Sequence, residues 1–149
     1  MNNPLLHTRG VLHPLVWLLP AVLATLAACA GASSAPGGAM ALVGTEWRLQ
    51  SIDGQPVMDR SLASLQFPES GRVAGNGSCN TFVGAVAIDK ESIIFRQMAG
   101  TKMACMGGAG EQESRFMEAL RQAQRYQVID GQLLIHVQGM EQPLLFTKK

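Results

Sequence analysis

The stretch Gly-Asn-Gly-Ser-Cys-Asn-Thr-Phe, Gly75 to Phe82, sets a cysteine in a glycine-rich bend with strand-like sequence on both sides. A thiol so placed has four chemistries open to it: nucleophile, metal ligand, redox partner, or half of a structural bridge. As a nucleophile, Cys79 needs a base to form its thiolate. His136 is the only histidine beyond His13. Alternation in "QLLIHVQ" puts it on the face with Gln132, Leu134 and Gln138, opposite Leu133, Ile135 and Val137, and nothing in the sequence joins it to the bend. A strand histidine half open to solvent is the plainer explanation. A metal fares no better. Cys79, Cys105 and His136 supply three ligands and no Cys-x-x-Cys pair, where a closed zinc site takes four. Met98, Met103 and Met106 surround Cys105 and suit Cu(I) chemically, but thioethers more commonly pack the core or its edge. No metal and no cofactor are expected.

Phosphate and acyl chemistry lack their motifs. Gly75-x-Gly77 has Asn80 where a dinucleotide loop needs its third glycine, no Lys-Ser or Lys-Thr follows, and no Gly-x-Ser-x-Gly elbow exists. Asn76 and Asn80 read as side chains that brace the bend through local bonds to backbone. The eleven acids fall in turns and on polar faces, where solvated charge is the default. The chain is not expected to be an enzyme, and no catalytic residue is assigned.

Which chemistry Cys79 performs depends on the compartment. Val11 to Ala28, "VLHPLVWLLPAVLATLAA", carries no charged side chain and follows a weakly basic start with His7 and Arg9, the layout of a secretory signal peptide. Pro14 and Pro20 interrupt it, which favours a cleaved leader over a permanent span. Leu26-Ala27-Ala28-Cys29 resembles a bacterial lipobox. That resemblance implies cleavage before Cys29, acylation of its sulfur and new amino group (palmitate among the chains), and firm membrane anchoring by several acyl chains. Ala30 follows in place of the Asp that retains many such proteins in the inner membrane, so the expected location is the outer membrane, facing the periplasm. Residues 1–28 are thus read as leader and residues 29–41, rich in Gly, Ala and Ser, as a flexible tether. Residues 42–149 form one domain, of a size that supports a single core. Beyond the leader, eleven Lys and Arg balance eleven Asp and Glu. No basic stripe survives, and nucleic acid is not an expected partner.

With Cys29 carrying lipid, Cys79 and Cys105 remain as an even pair in an oxidising compartment. A bridge between them closes a loop of about 27 residues, worth roughly 3.5 kcal/mol in the loop-entropy account.

These residues need elements to position them. "TEWRLQSI" alternates, with Trp47 and Leu49 on one face, and Asp53-Gly54 turns the chain after it. "SLQF", "RVAGN", "TFVGAVAI" and "SIIF" read as further strands, "RVAGN" entering the cysteine bend and "TFVGAVAI" leaving it. Glu111 to Arg125 reads as an amphipathic helix with Phe116, Ala119, Leu120 and Ala123 as its apolar stripe. Glu111 with Arg115, and Glu118 with Arg121, form solvent-face pairs. "QLLIHVQ" and "PLLFTK" close the chain as strands. The fold class is α+β, mainly an antiparallel sheet, small and barrel-like or curled, with one helix.

"LVGTEWRLQSI", "RVAGNGSCNTFVG", "GTKMACMG" followed by "EQESRFMEAL", and the closing "LLI…LLF" resemble, in that order, the META domain, also called HslJ-like (heat-shock-inducible). The resemblance covers Leu42 to Phe146. It implies a small secreted or lipid-anchored domain linked to stress tolerance and envelope roles, with no established catalytic activity. Trp47, Gly75, Gly77, Asn80 and Phe82 are its structural motif residues here. Ser78 stands where the family often has Gly, which relaxes the demand for a left-handed backbone at that position. Two functional readings remain. One is a lipid-anchored, non-enzymatic envelope protein with a protein or small-molecule partner yet to be named. The other is a thiol-redox or soft-metal-binding protein using Cys79 and Cys105.

Overall fold

The computed structural model describes residues 41–149. The leader, the lipobox cysteine Cys29 and most of the tether lie outside them. Nine strands and one helix follow one another: β1 (Thr45–Ile52), β2 (Gln55–Pro56), β3 (Ser64–Phe67), β4 (Arg72–Asn76), β5 (Thr81–Asp89), β6 (Ser92–Gly100), α1 (Ala109–Arg121), β7 (Ala123–Ile129), β8 (Gln132–Val137) and β9 (Leu144–Lys148). Every pairing is antiparallel. β1, then β3 to β9, run as a meander, and β9 returns to pair with β1, so eight strands close into a barrel with β2 a short spur on β1.

Alternation drives the closure. Trp47, Leu49, Leu65, Phe67, Ile93, Phe95, Leu133, Ile135, Leu144 and Phe146 all point inward and are buried. Eight strands enclose a space that side chains of this size just fill. Two-residue turns join β1 to β2 and β7 to β8. Asp53-Gly54 and Asp130-Gly131 both hold two successive positive φ angles, near 50° and then near 75°. That is the mirror-image turn whose twist matches its strands.

The helix begins at Ala109 and ends at Arg121, four residues short of the expected Arg125. Ala123, expected on the helical stripe, instead opens β7, which pairs with β8 from Ala123↔Val137 to Ile129↔Gln132. The ladder of hydrogen bonds on offer from β8 overrides a helical spacing that Ala119, Leu120 and Ala123 satisfy equally well. β6 also outruns its expected end at Phe95. It continues to Gly100 through a bulge, with Gln97 at φ 50° opposite the register shift between Val83 and Ala85. Polar "RQMAG" hides the continuation because one extra residue breaks the alternation.

α1 packs on β6 and β1. Phe116 is fully buried, edge-on to Phe82 of β5 at 6.2 Å between centroids and tilted against Phe146 of β9 at 6.0 Å. This anchor brings the first turn of the helix to the cysteine bend. Of the two pairs expected along the helix, Glu118–Arg121 forms at 3.2 Å; Glu111–Arg115 is not among the ion pairs of the described residues.

Candidate functional site

The site lies where three segments converge: the bend Gly77–Asn80 between β4 and β5, the coil 101–106 after β6, and the first turn of α1. Cys79 and Cys105 are bonded there, with their Cα atoms 5.8 Å apart. The expected pair is therefore joined, and Cys79 serves as a tie point. Gly110 of α1 lies against the bridge, where a methyl group would come within 3.1 Å of the Cys105 Cβ.

Glu113 holds the bend from above. Its Oε2 accepts the backbone N–H of Cys79 at 3.2 Å and of Asn80 at 2.6 Å, and its Oε1 accepts the Asn80 Nδ2 at 2.9 Å. Asn80, buried, reaches the third segment: its Oδ1 accepts the Thr101 hydroxyl at 2.8 Å and the Met103 N–H at 2.7 Å. Nδ2 also points at Cys105 Sγ, 3.5 Å away. One asparagine thus joins all three segments independently of the sulfur–sulfur bond. Its bonds are long-range, where the sequence suggested local ones; Asn76 does bond locally, Oδ1 accepting the Ser78 N–H at 2.8 Å.

A second network backs the first. Gln112 is buried, accepts the Met58 N–H at 2.6 Å, and donates to Ser61 Oγ at 2.8 Å and Ser78 Oγ at 2.5 Å. Ser78 sits at φ 117°. The expectation of a relaxed backbone there fails: the bend keeps the conformation that favours glycine, and Ser78 tolerates it with its hydroxyl fixed between Gln112 and Ser61.

The remaining motif residues have structural places. At Gly77 a Cβ would meet Glu113 Cγ at 2.5 Å, so the absence of a side chain lets the carboxylate approach. At Gly75 a Cβ would collide with the Ser64 carbonyl oxygen and the Phe82 ring. Trp47 is buried, its Nε1 donating to Thr45 Oγ1 at 2.7 Å. His136 is on β8, half buried, paired in register with Arg125 rather than with anything in the bend; its Nε2 is buried with no hydrogen-bond partner among the described residues. Met103 and Met106 are 62% and 88% exposed, against the expectation that they pack the core or its edge; Met98 alone of the three packs against the core.

The sequence pattern singles out neither Glu113 nor Gln112, and solvated charge is the default it implies for every acid. A signal was present: Glu113 stands three residues before Phe116 and seven before Leu120, which puts it on the buried side of α1. Cys79 Sγ, Cys105 Sγ and a Glu113 carboxylate oxygen lie within 4.8 Å of one another, a ligand set in kind. While the sulfurs are bonded to each other, neither is a thiolate. Beside the group opens a cleft of about 340 Å³ whose walls include Phe82, Met98, Lys102 and Met117.

A small antiparallel barrel with one inserted helix, pinned by a bridge at the helix N-terminus, defines the structural class. The chain belongs to the META domain family, whose profile matches residues 40–149. It is similar in fold to an NMR structure of a protein from Burkholderia xenovorans, with a TM-score of 0.64 at 22% identity over 77% of this chain and 88% of that one. A second NMR structure aligns with a TM-score of 0.61 at 23% identity, over 73% and 92%. A DUF4847 family protein from Bacteroides vulgatus aligns with a TM-score of 0.51 at 16% identity, over 71% and 93%. No curated protein matches the chain.

Proposed function

We propose that this META-domain chain is a lipid-anchored protein of the bacterial cell envelope. It is held by Cys29, faces the periplasm from the outer membrane, and acts in stress tolerance by binding a partner rather than by catalysis. The observation that carries the reading is the Cys79–Cys105 bridge, because a structural disulfide belongs to an oxidising compartment. It agrees with the leader and with Leu26-Ala27-Ala28-Cys29. Binding is favoured over catalysis because the polar side chains of the corner hold its own backbone: Glu113 on two N–H groups, Asn80 on Met103. The stress role rests on what membership of the family implies.

The test is palmitate labelling and fractionation of the full chain expressed in a Gram-negative host. Label on the wild type, in the outer-membrane fraction, with loss of both label and outer-membrane location in Cys29→Ser, is the expected result. An unlabelled wild type in the cytoplasm overturns the proposal.

A further inference from the structure

We propose that reduction of the Cys79–Cys105 bridge converts this corner into a zinc site, with Glu113 as the third protein ligand. The sequence offered His136 for that role; the fold supplies a carboxylate instead. The two sulfurs and a Glu113 oxygen already lie within 4.8 Å of one another. A tetrahedral zinc with bonds of about 2.3 Å to sulfur and 2.0 Å to oxygen needs ligand separations of roughly 3.5–3.8 Å, so side-chain rotation suffices.

The corner survives loss of the sulfur–sulfur bond because other contacts fix its three segments. Asn80 Oδ1 holds Thr101 and Met103 two residues from Cys105. Gly77 N–H bonds to the Asn80 carbonyl at 2.7 Å and keeps the bend closed around Cys79. Phe116 fixes α1 on the barrel. Three N–H donors orient the Glu113 carboxylate, the role outer-shell partners play for metal-bound carboxylates. Those donors take three of the roughly four acceptor sites of an ionised carboxylate and leave one, on Oε1, to offer. The Asn80 amide stands 3.5 Å from Cys105 Sγ and keeps that side of the corner in place. All three ligands are half buried, within reach of a reductant and a cation.

The reductant is a dithiol of the thioredoxin class. Its thiolate attacks one bridge sulfur and the sulfur–sulfur bond breaks to a mixed disulfide. Its second thiol then displaces that cysteine and the reductant leaves as its own disulfide. Cys79 and Cys105 together gain two electrons and two protons. Zinc binding releases both protons to solvent and leaves two thiolates and a carboxylate on the ion, with water in the fourth position.

The experiment uses the full chain carrying Cys29→Ser, so that only the two bridge cysteines titrate. The chain is reduced with a phosphine, which does not compete as a thiol, and titrated anaerobically with cadmium as the spectroscopic probe, followed by zinc competition. The expected result is one cadmium per chain, with sulfur-to-metal charge-transfer absorption that zinc removes. The oxidised chain and Cys79→Ser should lack it, and Glu113→Gln should bind at least roughly tenfold more weakly, as loss of a supporting group alone already does. Cadmium NMR of the reduced chain provides a readout independent of Glu113→Gln folding, with a shift typical of two sulfurs with oxygen. Absence of binding to the reduced chain, undiminished affinity in a folded Glu113→Gln chain, or an all-sulfur cadmium signal from cross-linked chains overturns the proposal.

Discussion

Glu113 and Asn80 are joined twice, through the Asn80 backbone N–H at 2.6 Å and its side-chain Nδ2 at 2.9 Å. The pair links the N-terminal half of the helix to the bend, and Asn80 passes the link on to Met103. Glu113→Gln replaces one acceptor oxygen by an N–H₂ group facing N–H donors. An unsatisfied, partly buried donor costs about 1–3 kcal/mol. Asn80→Ala should cost a similar amount and, because both act in one network, the double variant should fall short of the sum by at least ~0.5 kcal/mol. Urea unfolding of the four proteins measures this; strict additivity would show that the contacts carry little energy.

The bridge and the Asn80 network tie the same segments, yet they act on different states. The bridge restricts the unfolded chain, by roughly 3.5 kcal/mol for a loop of about 27 residues. For a domain near one hundred residues this corresponds to a drop in melting temperature of about 15–25 °C. Cys79→Ser with Cys105→Ser, compared with wild type by calorimetry, should show it while keeping the native circular dichroism spectrum. An unchanged melting temperature would remove the bridge from the account of stability.

Gly75 and Gly77 are not equivalent, although the sequence presents them alike. A Cβ at Gly77 meets the Glu113 side chain, which can swing aside at the cost of its hydrogen bonds. A Cβ at Gly75 meets the Ser64 backbone carbonyl across the β3–β4 ladder and the buried Phe82 ring, and neither can move alone. Gly77→Ala should therefore cost about 1–3 kcal/mol, and Gly75→Ala at least as much as the upper end, with loss of soluble protein at the extreme. Equal midpoints for the two variants would contradict this ranking.

Ser78 separates strain from bonding. At φ 117° an alanine keeps the backbone penalty and loses the bonds from Gln112 and Ser61. A glycine loses the same bonds and relieves the penalty. Ser78→Ala should destabilise by about 1–2 kcal/mol, and Ser78→Gly should lie closer to wild type, within about 1 kcal/mol. Denaturant midpoints for both variants decide it; an alanine variant as stable as the glycine variant would show that the backbone is not strained.

What could be read from the sequence divides along physical lines. "TEWRLQSI", "RVAGN" and the strand "QLLIHV" were legible because one face is buried and the other wet, so alternation survives in the residue types. The bridge was legible once Cys29 was set aside. β7 was hidden because Ala123 fits a helical stripe as well as a strand, and only the partner β8 decides between them. The far half of β6 was hidden by its bulge. Glu113 was hidden because a carboxylate on an amphipathic helix is usually solvated; its role depends on a bend more than thirty residues earlier, and local pattern does not register contacts of that range.

Tyr126 offers a titration with a single reporter, because it is the only tyrosine in the chain. It is buried on β7, and burial, aided by the Glu91 charge, raises its phenol above the ordinary value. The folded state therefore prefers the neutral phenol. Stability from this group is fully present below the unfolded value near 10 and is lost as pH rises through the higher folded value. Phenolate absorbance should show a midpoint above about 10 in the native protein, returning to about 10 in concentrated urea. Tyr126→Phe should flatten the alkaline fall of stability, measured relative to its own value at neutral pH. A native midpoint equal to that in urea would mean that solvent reaches the hydroxyl and that the barrel is open at β7.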